Sequence, residues 1–222
     1  MTTASGVNRV NPRTSIYVDA FNLYFGALKG TPYKWLNLEK MCQLLLPNNT
    51  ITSIKYFTAK VSARPNDPQK PVRQQIYLRA LSTIPIVKIT YGHYLTHVVK
   101  MRLASPIMND LGCVLNYVEV IKTEEKGSDV NLATQLLNDA HLNLFDVAVV
   151  ISNDSDLLAP IKIIRTVMGK KIGVLNPQKN SSNAIRPNVD FYKPIRQGVI
   201  ADSQFPDTLT DSFGSFHKPP SW

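Results

Sequence analysis

Asp19 closes the short apolar run Ser15-Ile16-Tyr17-Val18, and Asp154 and Asp156 follow a second run, Val149-Val150-Ile151-Ser152. Each run reads as a buried strand. In an open parallel sheet, ligands collect at the carboxyl ends of the strands, so these three acids stand where chemistry would take place. A fourth acid is placed by helical spacing. Leu132, Ala133, Leu136, Leu137 and Ala140 form a stripe at three-and-four intervals, and Asp129 precedes its first members by three and four residues, which turns its carboxylate inwards. A buried carboxylate is costly unless it is paired or holds a cation, and Lys126 is the only base close by in sequence. Converging carboxylates repel one another, which raises their pKa values or recruits a divalent metal. A set of oxygen ligands favours magnesium or manganese over zinc. Each acid also has a structural alternative: Asp154 or Asp156 as a helix cap, Asp129 as a first-turn partner of the helix dipole, Asp19 as a plain strand-end acid.

Strands are expected over 15–19, 51–61, 86–94, 95–103, 115–121, 145–152 and 171–175, and helices over 22–28, 36–46, 72–81, 130–142 and 157–168. This alternation predicts an α/β fold with a parallel sheet flanked by helices on both faces. The adjacent runs 86–94 and 95–103 suggest a β-hairpin added to the sheet edge. Beyond about residue 203 the chain turns polar, with Pro206, Pro219 and Pro220, so 203–222 reads as an irregular tail. Residues 1–13 read as a flexible N-terminus, which leaves 14–202 as one domain.

With 44% apolar residues, the 222-residue chain can bury a real core. It has no run of about 18 apolar residues, and its start lacks the apolar stretch of a secretory signal; the expectation is a cytoplasmic protein with no membrane partner. Cys42 and Cys113 lie in apolar patterns without zinc spacing and are expected as buried thiols. The net charge of +9 suggests a polyanionic partner. Residues 55–102 carry nine Lys or Arg against Asp67 alone. The chain has no GxxxxGK, GxGxxG, GxSxG or HExxH pattern, which weakens the cases for a nucleoside triphosphatase, a dinucleotide enzyme, a serine hydrolase and a zinc protease. Whether the chain self-associates is not legible in it.

Three blocks, Tyr17-Val18-Asp19-Ala20-Phe21-Asn22-Leu23-Tyr24, Lys126-Gly127-Ser128-Asp129-Val130-Asn131-Leu132-Ala133 and Ser152-Asn153-Asp154-Ser155-Asp156, resemble the signature blocks of NYN-domain proteins, a family of PIN-like nucleases, here in its LabA-like branch. The resemblance spans roughly residues 14 to 200. It implies a Rossmann-like sheet and an acidic pocket that binds magnesium or manganese and hydrolyses phosphodiester bonds, usually of RNA and here expected to be single-stranded. It also implies that Asp19, Asp129, Asp154 and Asp156 are metal ligands and that Asn22 orients water or phosphate beside them. Lys60, Arg64, Lys70, Arg73, Arg79, Lys100 and Arg102 would then hold the nucleic-acid backbone, with Tyr91, His93 and Tyr94 available to stack on bases or to pack in the sheet. The sequence departs from the family at Gln135, where many relatives carry a further acid, and at Asn153 and Ala20, where glycine is common. Gln135 favours the alternative of a non-catalytic nucleic-acid-binding module on the same fold.

Overall fold

In a computed structural model, residues 10–108 and 112–222 are described. The chain opens with β1 (Arg13–Asp19), followed by a helix that runs as α1 (Ala20–Leu23) into a wider π-helical turn (Tyr24–Leu28). Then come α2 (Leu38–Leu45), β2 (Thr50–Thr58), α3 (Lys70–Ser82) and β3 (Val87–Tyr91). Two long strands follow, β4 (His93–Met108) and β5 (Val114–Lys126), and after them α4 (Ser128–His141), β6 (Val147–Ile151), α5 (Leu158–Lys162) extended by a π-helical turn (Ile163–Val167), and β7 (Lys171–Asn176). The chain ends with β8 (Phe191–Pro194), α6 (Gln197–Asp202), β9 (Thr208–Asp211) and β10 (Gly214–His217).

Six strands form one sheet in the order β3-β2-β1-β6-β7-β8, and every neighbouring pair is parallel. The expected α/β architecture is therefore present. Parallel strands are buried on both faces because the crossover helices cover both, and β6 shows how the core divides. Val147, Val149 and Ile151 face a cluster containing α2 and α3, while Ala148 and Val150 face Leu132 and Leu136 of α4 and Ile161 of α5. The chain builds outward from β1 to β2 and β3, then returns to β6 on the other side of β1. This is a topological switch point, where the connections diverge and leave a crevice at the strand ends.

The expected added β-hairpin is present, but its strands are β4 and β5 and not 86–94 and 95–103. Val87–Tyr91 is instead the parallel edge strand, and β4 pairs with β5 in a separate antiparallel ribbon. Gly92 makes this turn-off possible. A Cβ there would lie 2.3 Å from Glu125 Oε1 and 2.5 Å from the Lys126 carbonyl, so only glycine lets the two ribbon strands cross this closely at their base. Beyond the base, the ribbon leaves Val98, Met108 and Ile121 exposed.

The tail is not irregular either. Trp35 is fully buried and packs against Phe205, Phe216 and Trp222, and its indole N–H donates to the Pro206 carbonyl at 2.8 Å. β9 and β10 form an antiparallel pair within this segment. Of the cysteines, Cys42 is buried and Cys113 exposed. The flexible N-terminus expected over 1–13 lies, for residues 1–9, outside the described residues, and β1 already begins at Arg13. Among the described residues, no helix is long and apolar enough to cross a membrane.

Candidate active site

The switch point places the end of β1 beside the end of β6, with Val18 paired to Ile151. Asp19 is only 5% exposed. Its Oδ1 accepts from the backbone N–H of Asn22 (2.9 Å) and caps α1, while its Oδ2 accepts from the Ser152 hydroxyl (3.0 Å). Ser152 Oγ in turn accepts the Asp154 N–H (3.1 Å), so one buried hydroxyl ties the two strand-end acids together. Asp154 Oδ1 accepts the Asp156 N–H (3.0 Å). Both Asp19 and Asp154 are therefore helix caps, the alternative weighed for Asp154 and not the plain strand-end role weighed for Asp19. Capping does not exhaust them: among the described residues, Asp154 Oδ2 accepts no hydrogen bond, and it belongs to a carboxylate on the cleft wall.

Asp129 stands in the first turn of α4. The expectation that it points into the core is not met. The residue is exposed, yet its carboxyl end lines the same cleft as Asp19 and Asp154, together with Phe21, Asn22, Tyr94 and Glu125. Partial burial, then the charges of Asp19, Asp154, Glu125 and Asp156, push its pKa up to about 6. Burial also raises the pKa of Asp19, with Asp154 adding to the effect. Among the described residues, no Lys or Arg lines this depression of about 370 Å³.

Glu125 was not foreseen. It lies in the alternating run Lys122-Thr123-Glu124-Glu125-Lys126, which reads as a solvated strand end. In the fold its carboxylate accepts from Ser128 N–H (3.1 Å) and Ser128 Oγ (2.7 Å), satisfying an orphan donor at the start of α4. No capping-box pattern signals it, because in that motif the acid follows the serine by three residues, whereas Glu125 precedes Ser128. Asp156, by contrast, is exposed and does not line the cleft; it reaches the other acids through its charge and its backbone N–H.

Asn22 stands between the acids and the loop after β7. Its Oδ1 accepts from the backbone N–H of Asn153 (3.1 Å) and from Gln178 Nε2 (3.2 Å). A backbone donor fixes the amide's orientation, so Nδ2 is the end left to donate into the cleft. Asn153, where relatives often have glycine, is a strut: its side chain donates to the Asn180 carbonyl and accepts from Ser182 N–H and the Tyr192 hydroxyl.

The basic residues do not act as one set. Lys55 is the buried counterion of Asp139. Arg79 grips both carboxylate oxygens of Asp211 (2.7 and 2.6 Å) and stacks on Phe216, so it fastens the C-terminal hairpin and is not a free phosphate contact. Arg73 is similarly engaged with Asp67 (2.7 and 2.6 Å). Arg64 and Lys60 are exposed. Partial burial, then the charge of Arg64, lowers the pKa of Lys70, with Arg73 and Lys29 acting in the same direction; a cationic group including the unforeseen Lys29 thus gathers near α3. Arg64 also acts on Tyr94, a cleft residue, so it lies within electrostatic reach of one wall of the cleft. Lys100 and Arg102 lie out on the ribbon, Lys100 over the Tyr117 ring. Tyr94 packs edge-on against Phe21, and Tyr91 lies under Lys60.

The donor set fits a hard divalent cation: it is all oxygen, it is held by a switch-point sheet, and among the described residues no Lys or Arg lines the cleft with it. Among the described residues, no three His, Cys, Asp or Glu side chains are close enough to form a ready coordination sphere. Asp19, Asp129 and Asp154 share one cleft, but they are not drawn together as they would be around an ion.

A sequence profile described as the NYN domain matches residues 13–194. The chain is 32% identical to a Pseudomonas putida protein named 6-hydroxy-3-succinoylpyridine 3-monooxygenase HspA, over 95% of this chain and 75% of that protein. It shares its fold with a crystal structure of a protein of unknown function from Vibrio parahaemolyticus, at 16% identity and a TM-score of 0.55, covering 84% of this chain and 94% of the other.

Proposed function

Because the chain belongs to the NYN-domain family, whose fold is nuclease-like, we propose that it is a metal-dependent endoribonuclease that cuts single-stranded RNA at the cleft between β1 and β6. The observation that carries this reading is the crowding of Asp19, Asp129 and Asp154 in one cleft that, among the described residues, no Lys or Arg lines, where partial burial and the neighbouring acids raise the pKa of Asp129 to about 6. A magnesium or manganese ion held by these three residues would supply Lewis acidity, lowering the pKa of water and neutralising charge on the phosphate. Ser152 fixes Asp19 relative to Asp154, and Asn22 Nδ2 donates to a phosphate oxygen. Arg64, Lys70 and Lys60 hold the flanking backbone, where Lys and Arg supply affinity with little sequence information.

Incubating the purified protein with labelled single-stranded and duplex RNA and DNA, in manganese, magnesium or chelator, tests this. Cleavage of single-stranded RNA that stops in chelator is the expected result. Tight RNA binding without cleavage in either metal would instead support a non-catalytic binding module, the reading that Gln135 favours.

A second reading rests on the Pseudomonas relative, whose name gives it a monooxygenase activity on a substituted pyridine. Oxygen-dependent conversion of 6-hydroxy-3-succinoylpyridine with an added two-electron reductant would establish it for this chain.

A further inference from the structure

Phe25 presents a largely exposed ring beside the carboxylates, with Lys29 Nζ 5.2 Å from its centroid and the Tyr24 ring edge-on to it at 5.2 Å. It is 57% exposed, and it lines both the acidic cleft and a second, open depression of about 580 Å³ bounded by Asn22, Gly26, Asn153, Ser155, Gln178 and Lys179. The π-helical turn carrying Phe25 is seated by Gly26, where a Cβ would come within 2.8 Å of the Gln178 amide and 2.9 Å of the Pro177 carbonyl. Behind the ring, the wall is already built. Buried Asn176 bonds to Gln178 N–H and to the carbonyls of Gln178 and Asn180, and Asn153 and Asn22 tie the same loop to the ends of β6 and β1. The hydroxyl of Ser155 and the side-chain amide of Asn180, by contrast, make no hydrogen bond among the described residues, and Lys179 stands exposed at the rim.

A flat apolar ring, short neutral groups able to both donate and accept, and cations at the edge, Lys179 on the rim and Lys29 over the ring, match a planar heteroaromatic ring attached to a phosphate. We propose that this depression is a nucleobase subsite. The base of the nucleotide next to the phosphate at Asp154 stacks on Phe25, its edge meets Ser155 and Asn180, and Lys179 takes the following phosphate. The proposal deepens the nuclease reading and rests on it for the identity of the ligand. Stacking on an aromatic side chain tolerates every base, so the subsite selects for unpaired nucleotides, and a duplex, whose bases are already stacked, cannot enter.

The test is binding of a short single-stranded RNA bearing 2-aminopurine at successive positions, with calcium replacing manganese so that no cutting occurs. Wild type is expected to quench 2-aminopurine at one position. Phe25→Leu, which keeps the apolar bulk without the ring, should abolish that quenching and weaken binding about 10-fold, while Phe25→Trp keeps both. An abasic residue at the quenched position should weaken wild-type binding to a similar degree and leave Phe25→Leu unaffected. Equal binding by wild type and Phe25→Leu would overturn the proposal. So would Phe25-dependent binding of free 6-hydroxy-3-succinoylpyridine with no quenching of the RNA, since the ring would then come from a small molecule. Phe25-dependent RNA binding without cleavage in manganese removes the nuclease reading and leaves the subsite standing; metal-dependent cleavage indifferent to Phe25 does the reverse.

Discussion

Gln135 donates through Nε2 to Asp139 Oδ1 across one turn of α4, at 2.8 Å. Asp139 is buried and also accepts from the Tyr17 hydroxyl (2.5 Å) and from Lys55. The position that in many relatives holds a further acid therefore serves a buried structural network here. Gln135→Glu would set a second carboxylate against Asp139 and is expected to lower the melting temperature without raising cleavage. A gain in metal-dependent activity in that variant would show that the position faces the metal site.

Lys55→Ala leaves Asp139 buried without its cation. Breaking a buried pair by removing one partner costs about 3–5 kcal/mol, and in a chain of this size that corresponds to roughly 10 °C in melting temperature. Thermal unfolding is the readout. A variant as stable as wild type, with weakened RNA binding, would place Lys55 on the nucleic-acid surface.

Asp129 has a folded pKa of about 6, above the ordinary carboxylate value, so its charged form is disfavoured by folding. Its contribution is neutral below pH about 4, grows more destabilising as the pH rises from about 4 to 6, and is complete above that. Allowing for solvent screening of this exposed residue, the penalty is about 1 kcal/mol. Asp129→Asn is therefore expected to melt about 2–4 °C higher than wild type at pH 7.5 without metal, and the gain should vanish near pH 4. It should also bind manganese more weakly. A loss of stability at pH 7.5 would make Asp129 a structural cap.

Phosphate affinity should reside in Lys60, Arg64 and Lys70. Changing all three to Ala should flatten the salt dependence of single-stranded RNA binding by up to about 2 units of slope, since each lost contact removes roughly 0.7. Arg79→Ala should leave the slope unchanged and lower the melting temperature, because it releases Asp211 and the C-terminal hairpin. The opposite pattern would place the RNA path along α3 towards that hairpin.

The central sheet was legible because buried parallel strands such as Val147–Ile151 are continuous apolar runs. Asp19 and Asp154 were legible as residues immediately after such runs, and Asp129 through its helical spacing, although not the direction it faces. What escaped depends on contacts distant in sequence. β8 is four residues long and ends in proline, and Phe205, Phe216 and Trp222 follow no period; they are ordered by converging on Trp35. The ribbon was misread because one glycine, Gly92, separates an edge strand from a strand that leaves the sheet. The basic surface was overcounted because the partners of Lys55 and Arg79 lie 84 and 132 residues away.

The most direct measurement is the single-turnover cleavage rate of a labelled single-stranded RNA in manganese for wild type, Asp19→Asn and Asp154→Asn, with circular dichroism as a check on folding. Each variant should stay folded and lose about 100-fold or more in rate, because removing a metal ligand costs several kcal/mol of transition-state stabilisation, and wild type in chelator should be equally inert. Wild-type rates in both folded variants, or undiminished cleavage in chelator, would contradict an acid-held metal site as the source of activity.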